Sequence, residues 1–205
     1  MKNIGIICAG PANYLSICNA VKKTGHKPIL IKNNKTKEKF SHLILPGVGS
    51  FGAVIREINK KKLLKLILNH IKFKRPLLGI CVGYQILFEN SEEDLKSQGL
   101  RYFKGKLKNL DDILNIVPSI GWQKTILEKK LIKKLKLPYK KANLYYAHSY
   151  YVNKYNKKEI MGFINLNKKK IPVLAIKGNV LGVQFHPEKS GYDGIEFLSS
   201  FFNLK

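Results

Sequence analysis

The chain has 205 residues, 44% of them apolar, and its 38 lysine and arginine residues against 13 acidic residues give a net charge of +25. This length and composition can bury one full hydrophobic core, and no apolar run approaches the roughly 18 residues of a membrane-spanning helix. We therefore expect a single domain over residues 1–205 with no membrane segment.

The positive charge alone does not indicate a nucleic-acid-binding protein. Only Arg56, Arg75 and Arg101 carry the forked guanidinium group that recognises bases and phosphates. The lysines are spread along the chain without a stripe of interleaved aromatic residues. We expect lysines that coat solvated surfaces, with a basic face for phosphorylated substrates or an acidic partner protein as the alternative. No nucleic-acid partner is expected.

The cysteines and the N-terminus indicate the cellular setting. Cys8, Cys18 and Cys81 form neither a metal-ligand spacing nor an even set for disulfides, and Met1 leads directly into a strand-like run without a signal-peptide pattern. We expect a reducing, cytoplasmic setting, with no metal and no cofactor.

Up to Asn90 the sequence alternates between short apolar runs and helical patterns. This alternation predicts an α/β fold whose central, mostly parallel sheet has helices on both faces. The predicted strands are residues 3–8, 27–31, 40–45 and 76–80, and the predicted helices are residues 14–24, 51–73 with a break near 60, and 82–88.

After Asn90 most of the predicted elements are strands joined by turns, which indicates an antiparallel β extension in the C-terminal half. One amphipathic stripe predicts a helix over residues 125–137, and a closing helix is predicted over residues 193–202. The predicted strands are residues 100–107, 117–122, 143–151, 160–166, 173–176 and 180–185.

Cys81 lies between Gly79 and Gly83 in the pattern G-x-C-x-G, where an apolar run changes at once to a helical pattern. This is the thiol form of the nucleophile elbow, in which a sharp strand-to-helix turn holds the nucleophile in a strained conformation. A Cβ at either glycine would collide with the neighbouring turn, and a helix N-terminus beside the sulfur favours the thiolate. The alternative is a buried cysteine at an ordinary strand–helix junction.

A cysteine nucleophile needs a base, and the base needs a group that orients it. His186 follows an apolar strand and therefore lies at the carboxyl end of the sheet, where open α/β folds place their sites. Glu188 is two residues on, on the same side of an extended backbone, and Pro187 stiffens the pair. His148 is a second histidine that could line the cleft, whereas the other three histidines are expected to be structural.

Backbone N–H groups usually form the oxyanion hole of such enzymes. The turn Pro46-Gly47-Val48-Gly49 follows a predicted strand and can present an amide to the pocket. The N–H of Val82, directly after the nucleophile, is the second expected donor.

Four segments resemble the class I (triad) glutamine amidotransferases, and most of all the family of glutaminase subunits of imidazole glycerol phosphate synthase. The similarity runs from residue 4 to the end of the chain. The segments are residues 46–51 (PGVGSF), 79–85 (GICVGYQ), 87–93 (LFENSEE) and 184–191 (QFHPEKSG).

The resemblance implies a flavodoxin-like amidotransferase fold and a triad of Cys81, His186 and Glu188. This triad would hydrolyse L-glutamine to glutamate and ammonia through a thioester on the cysteine. The remaining implied site residues are Val48, Gly49 and Val82 for the oxyanion, and Gly47, Gln85, Ser149 and Tyr150 for the substrate.

The resemblance also implies a partner. In this family ammonia passes through a channel to a (β/α)8 cyclase, HisF, which forms imidazole glycerol phosphate and AICAR in histidine biosynthesis, and partner binding switches the glutaminase on. A gated site fits a Pro-Gly-Val-Gly turn whose amide turns inwards only in the heterodimer. The expected interface residues are Pro11, Asn13, Ser119, Trp122 and Gln123.

Two of the partner-facing segments differ from the family pattern. Residues 118–123 read PSIGWQ where the family usually has PHMGWN, and residues 8–13 read CAGPAN where it commonly has DYGxGN. An alternative partner is therefore a different synthetase, such as one that forms amidino groups on bacterial surface sugars. Rival functions are a free-standing cysteine hydrolase or peptidase and a pseudo-amidotransferase that serves only as an interaction subunit.

Overall fold

A nine-stranded sheet lies at the centre of the protein, in a computed structural model that describes residues 1–204. The strands of these residues, in chain order, are β1 (Asn3–Ile7), β2 (Lys27–Ile31), β3 (His42–Gly47), β4 (Leu77–Cys81), β5 (Asn90–Ser91), β6 (Asp94–Gln98), β7 (Lys106–Asn109), β8 (Ser119–Leu127), β9 (Lys141–His148), β10 (Tyr150–Asn153), β11 (Ile160–Leu166), β12 (Lys169–Lys177) and β13 (Val180–Val183).

One half of the large sheet is parallel, in the order β2-β1-β3-β4-β13. Its middle strands are apolar because both of their faces are covered; every residue of β3 and β4 is buried. The loops after these strands meet at one edge of the sheet, where the strand order changes direction between β1 and β3. Such a switch point is where open α/β sheets place their ligands.

Helices cover both faces of this half. Along the sheet order, the chain moves one way from β1 to β2 and the other way from β3 to β4. Because both connections are right-handed, the helices within them lie on opposite faces of the sheet. None of the helices in residues 1–204 is long and apolar enough to cross a membrane. The helices are α1 (Tyr14–Lys23), α2 (Phe51–Lys60), α3 (Leu64–Lys72), α4 (Val82–Gln85), α5 (Lys129–Leu135) and α6 (Gly191–Phe202).

The other half of the large sheet is antiparallel and comes from the C-terminal part of the chain, in the order β13-β12-β11-β8-β9. A second, four-stranded sheet has the order β10-β7-β5-β6. In the sequence, β5, β6 and β7 lie between the elbow helix and β8, whereas β10 follows β9. The predicted fold class is thus confirmed: a flavodoxin-like parallel sheet with an antiparallel extension.

Four predicted elements differ from the observed ones. The helix expected over residues 125–137 is only α5, because β8 continues to Leu127 and pairs with β9 up to Ile126. The strand expected over residues 143–151 is two strands, β9 in the large sheet and β10 in the second sheet. The strand expected over residues 100–107 is a loop that leads into β7, and β6 was not predicted. The elbow helix, expected to reach residue 88, has α-helical bonding only to Gln85.

Candidate active site

Cys81 ends β4 and lies directly before α4, with the backbone dihedrals φ 54° and ψ −111°. This strained conformation is the one predicted for a nucleophile elbow. A Cβ on Gly83 would lie 1.7 Å from the Leu45 carbonyl oxygen, and one on Gly79 would lie 2.5 Å from the Gly83 carbonyl oxygen. The predicted collisions are therefore confirmed, and the two glycines let β3, β4 and the elbow pack in contact.

The loop after β13 holds His186 on the opposite wall of the site. The His186 N–H donates to the Tyr145 carbonyl at 2.9 Å, and the Ser190 hydroxyl donates to the His186 carbonyl at 2.7 Å. Ser190 Oγ in turn accepts from the Tyr145 N–H at 2.9 Å. These bonds tie the loop to β9, and the imidazole is only 3% exposed.

Glu188 orients the imidazole. Its Oε1 atom lies 2.8 Å from His186 Nδ1, which leaves Nε2 free to face the sulfur. The contact was predicted, but its backbone geometry was not: Pro187–Lys189 form a short 3₁₀ turn instead of an extended segment. Glu188 Oε2 is buried and has no partner among residues 1–204.

His186 lines the same cavity as Cys81 and contacts Glu188. Burial alone would lower the pKa of His186, but the interactions of the imidazole with Cys81 and Glu188 outweigh it and raise that pKa to about 10. The imidazole therefore carries a proton at neutral pH. A protonated imidazole beside a cysteine stabilises the nucleophilic thiolate and is ready to act as an acid.

The cysteine and histidine open into a cavity of about 300 Å³, within the range of small-molecule sites. Most of the predicted site residues line it, while Gly47 lies beneath it, paired with Cys81 in the sheet, and Glu188 lies behind His186. The lining residues are Val48, Gly49, Cys81, Val82, Gln85, Glu93, Pro118, Ala147, His148, Ser149, Tyr150, His186 and Lys189.

One of the expected oxyanion donors does not point into this cavity. The Val48 N–H donates a hydrogen bond to the Pro11 carbonyl at 3.2 Å, so the loop after β3 is tied to the loop after β1. The next residue, Gly49, has φ +93°, a conformation that favours glycine. Val82 begins α4, so its N–H has no partner within the helix.

The amide side chain of Gln85 is buried beneath the sulfur. Its Nε2 donates to Gln184 Oε1 at 3.1 Å, and Gln184 Nε2 contacts Cys81 Sγ at 3.7 Å. Cys81 Sγ also lies 3.8 Å from the Ala147 carbonyl. Sequence reasoning missed the position of Gln184; its signals were a polar residue between the apolar Val183 and Phe185 and its place in the segment 184–191 that carries the resemblance.

Two further residues near the substrate cavity were not predicted. Glu93 lines the cavity, and its Oε2 accepts a hydrogen bond from the Phe51 N–H at 2.6 Å. Lys189 lines the opposite side, and its Nζ lies 5.6 Å from the centre of the Tyr145 ring. Both belong to segments that carry the resemblance, which was the signal that could have identified them.

His148 also lines the cavity, but as a buried neutral residue. Its Nδ1 bonds to the Tyr150 carbonyl at 2.9 Å, so Nδ1 carries the hydrogen and Nε2 is an acceptor without a partner in residues 1–204. Burial and the charge of His186 lower the pKa of His148 to about 4, although the hydrogen bond to the Tyr150 carbonyl acts to raise it. A buried, neutral imidazole without a carboxylate partner is a part of the wall and not the base.

The expected interface residues have three different environments. Trp122 is 55% exposed on β8 beside the exposed Ile120, and its ring is 6.1 Å from that of Tyr145, which neighbours His186. Ser119 is buried and pairs with His148, and Gln123 is partly buried.

Pro11 and Asn13 lie in the loop after β1, and both have a structural contact. The Pro11 carbonyl accepts a hydrogen bond from the Val48 N–H, and Asn13 caps α1 by accepting from the Ser16 N–H at 3.1 Å.

No group of three or more His, Cys, Asp or Glu side chains within residues 1–204 could ligate a metal ion.

The family model for glutamine amidotransferase class-I matches residues 9–204. A nucleophile elbow that faces a His–Glu pair on a flavodoxin-like sheet is what this family requires, and the chain belongs to it. Among solved structures, the chain resembles one described as "Structure of PurLQS from Thermotoga maritima". The TM-score is 0.79, the sequence identity is 20%, and 99% of each chain is covered.

Within the family the chain is similar to proteins named "Imidazole glycerol phosphate synthase subunit HisH". It is 39% identical to the one from Caldanaerobacter subterraneus subsp. tengcongensis, over 97% of this chain and 96% of that protein. It is 35% identical to the one from Bacillus subtilis (strain 168), over 98% of this chain and 96% of that protein. The resemblance found in the motifs therefore extends over nearly the whole chain.

Proposed function

We propose that this chain is a glutaminase subunit that hydrolyses L-glutamine to glutamate and ammonia and supplies the ammonia to imidazole glycerol phosphate synthesis in histidine biosynthesis. The observation that carries this proposal is that Cys81 shares a cavity with a His186 that Glu188 holds at 2.8 Å, in a chain similar to HisH over 97% of its length. We assign the activity to one glutaminase domain over residues 1–205 and place it in the cytoplasm.

In the first half of the reaction Cys81 Sγ attacks the carboxamide carbon of glutamine. The carbon–nitrogen bond breaks, and the proton on His186 passes to the departing nitrogen, which leaves as ammonia. The product is a thioester between the γ-carbonyl carbon and the sulfur.

In the second half a water molecule attacks the thioester carbon while His186 accepts its proton. The carbon–sulfur bond then breaks, which releases glutamate and restores the thiolate beside a protonated imidazole. Glu188 keeps the imidazole oriented and stabilises its positive charge in both halves.

Both tetrahedral intermediates need an oxyanion hole, for which we assign the N–H groups of Val82, Gly49 and Val48. The Val48 N–H is bonded to Pro11 in this structure, so it has to turn inwards before it can donate to the oxyanion. Loss of a single oxyanion donor costs on the order of 10²–10³ in rate. An isolated chain in the observed conformation is therefore a slow glutaminase, and a partner that moves this loop would activate it.

The other cavity residues suit an amino acid. We assign Gln85 and Gly47 to the substrate side chain and the backbone at Ser149 and Tyr150 to its α-substituents. Glu93 is the acidic residue of the cavity lining, and its carboxylate is placed to meet the α-ammonium group. A half-buried carboxylate that already accepts a backbone N–H is held in position for that contact.

The ammonia acceptor we propose is a HisF-like (β/α)8 cyclase that forms a heterodimer with this chain. The relatives at this identity are named as subunits of imidazole glycerol phosphate synthase, which favours this partner over a synthetase of surface sugars. Ile120 and Trp122, respectively 62% and 55% exposed beside the site, provide an apolar contact surface, and aromatic anchors of this kind carry much of the energy of an interface.

The test is the activity of Cys81→Ala with the HisF subunit of the same organism. Synthesis that depends on glutamine should be abolished, whereas synthesis from added ammonia should be retained. Cys18→Ala, which removes a thiol outside the cavity, should retain both activities. Loss of both activities in Cys81→Ala would contradict the division between a subunit that makes ammonia and one that uses it.

A further inference from the structure

A second cavity, of about 940 Å³, lies at the opposite end of the sheet from the active site. Lys2 and Asn3 at the start of β1, His42 at the start of β3 and Pro76 before β4 line it, whereas Cys81 lies at the carboxyl end of β4. An adjoining cavity of about 420 Å³ shares four of its lining residues, Phe40, Leu66, Phe73 and Arg75. The glutaminase chemistry makes no use of this region.

The lining of the larger cavity is strongly basic. Lys2, Lys39, Lys74 and Arg75 line it, and Glu38 is the carboxylate among them. None of these four cations takes part in an ion pair of residues 1–204. Cations that converge on a concave surface without carboxylate partners attract an anionic ligand.

Aromatic rings lie among these cations. The Phe73 side chain is 66% exposed, and the Arg75 guanidinium lies 5.7 Å from the centre of its ring. The Phe40 ring stacks on His70, with the ring centres 5.6 Å apart and an interplanar angle of 26°. An exposed phenylalanine beside an arginine offers a platform on which a planar ring can stack.

The backbone that carries these groups is held in place by hydrogen bonds. The Arg75 N–H donates to the His70 carbonyl at 3.1 Å, and the Asn179 side chain donates to the Lys74 carbonyl at 2.8 Å. On the other wall the Asn3 side chain donates to the Lys39 carbonyl at 3.1 Å. A site positioned in this way loses little conformational entropy when a ligand binds.

His42 adds a buried polar atom to the floor of the cavity. The residue is 2% exposed, and its Nδ1 contacts the Ser41 hydroxyl at 2.9 Å. Its Nε2 makes no hydrogen bond of normal geometry within residues 1–204, although the Leu204 backbone is close enough to favour its charged form. This nitrogen is covered and the ring packs edge-on against Phe201 and Phe202, so His42 supports the floor of the cavity and does not itself contact a ligand.

We propose that this cavity binds a nucleotide. The phosphates would lie against Lys39, Lys74 and Arg75, and the base against Phe73 and Phe40. A nucleotide combines several negative charges with a planar ring, which matches a cavity that has cations, the exposed Phe73 and the half-buried Phe40, whereas a simple anion would use only the cations. The cavity volume is in the range of cofactor sites, and this proposal does not depend on the glutaminase activity.

The test is isothermal titration calorimetry of the full chain with ATP, adenosine and pyrophosphate at physiological salt. ATP should bind at a single site, at least tenfold more tightly than either fragment. Lys74→Gln/Arg75→Gln should weaken ATP binding at least tenfold, and Phe73→Ser should weaken ATP binding while leaving pyrophosphate binding unchanged. Circular dichroism of each variant confirms that it is folded.

The matched control is Lys129→Gln/Lys130→Gln, which removes the same charge from an exposed pair of residues at the start of α5, outside both cavities. It should change the ATP affinity less than twofold. Equal weakening by the two double variants would overturn the proposal, since it would mean attraction to the whole +25 chain. Absence of ATP binding, equal affinity for ATP and pyrophosphate, or tighter binding of a single-stranded oligonucleotide than of ATP would also overturn it.

Discussion

The Val48 N–H donates its hydrogen bond to the carbonyl of Pro11, 3.2 Å away, and not to the cavity that contains Cys81. Two loops at the switch point of the sheet are thereby joined, and one of them is the loop expected to stabilise the oxyanion. This bond links the state of the active site to a segment, residues 8–13, that the sequence assigns to the partner surface. In the proposed mechanism, a local rotation of the chain around Gly49 would turn the Val48 N–H towards the cavity.

Gly49→Ala should favour that rotation. At φ +93° a Cβ meets no atom within 4 Å, so the change strains the observed, Pro11-bonded conformation by about 1 kcal/mol without a steric clash. Rotation releases this strain, so we expect the glutaminase activity of the isolated chain to rise about fivefold, while ammonia-dependent synthesis by the complex is unchanged.

Gly25→Ala is the matched control for this variant. Gly25 has φ +79° and also has no atom within 4 Å of a built Cβ, but it lies before β2, away from the site. It should lose similar stability in a urea titration and keep its glutaminase activity. Equal activities of the two variants would show that the Gly49 loop does not control the reaction.

Glu188→Gln should lower the pKa of His186. The Glu188 carboxylate is one of the groups that raise this pKa to about 10 against the effect of burial, and an amide lacks its charge. Because the protonated imidazole is the acid that ammonia release requires, the alkaline limb of the pH profile of kcat/KM should move to lower pH. We expect a rate loss of about 10²-fold, smaller than that of His186→Ala.

Glu159→Gln provides the control for the removal of a buried carboxylate. Glu159 is 8% exposed and pairs with Lys177, outside the active-site cavity. It should leave the pH profile of the enzyme unchanged. A Glu188→Gln enzyme with a wild-type profile would exclude an orienting and charge-stabilising role for this residue.

His42 should make the protein less stable in acid. Burial, together with the charges of Lys2 and His70, lowers the pKa of His42 from 6.5 to about 4 in the folded state. The unfolded chain then binds the proton more tightly, so this residue's contribution is complete above pH 6.5 and is lost as the pH falls towards 4. Between pH 7 and pH 5 the titration of His42 should lower the free energy of unfolding by about 2 kcal/mol.

His42→Leu removes this titration. Urea unfolding of the wild type and the variant at pH 7 and pH 5 measures it, with the difference between the two pH dependences as the result. His148, whose pKa is also lowered to about 4, contributes to both proteins and cancels. A variant that loses as much stability as the wild type would show that His42 is not buried in its neutral form.

Trp122→Ala should weaken binding of the HisF-like partner. A half-exposed tryptophan beside the active-site mouth is the side chain most suited to act as an anchor, and its loss should raise the Kd at least tenfold. Leu95→Ala is the control, because Leu95 is 84% exposed on β6 of the second sheet, whereas Trp122 lies on β8 of the large sheet. If the two variants bound the partner equally well, the interface would lie elsewhere.

The sequence was most informative where local patterns determine local structure. The glycines around Cys81 predict the elbow because their spacing follows from steric contacts within one turn, and the collision of a Gly79 Cβ with the Gly83 carbonyl shows that constraint in space. The apolar run before His186 likewise placed this residue at the carboxyl end of the sheet.

The sequence was least informative where contacts join distant segments. The bonds from Val48 to Pro11 and from Gln85 to Gln184 follow from the packing of the sheet and leave no periodic trace. The small sheet was also poorly predicted, because β6 and β7 are short, polar strands without an apolar alternation. The 3₁₀ turn at Pro187 shows that a correct contact can follow from an incorrect backbone expectation.

The reactivity of Cys81 towards an electrophilic glutamine analogue tests the account most directly. The complex with the HisF-like subunit is treated with 6-diazo-5-oxo-L-norleucine, and the modified peptides are identified by mass spectrometry, with Cys8 and Cys18 as internal controls. We expect one adduct, on Cys81, that forms much more slowly in His186→Ala and is prevented by excess glutamine. A complex that leaves Cys81 unmodified, or that modifies all three cysteines alike, would contradict the assignment of Cys81 as the nucleophile.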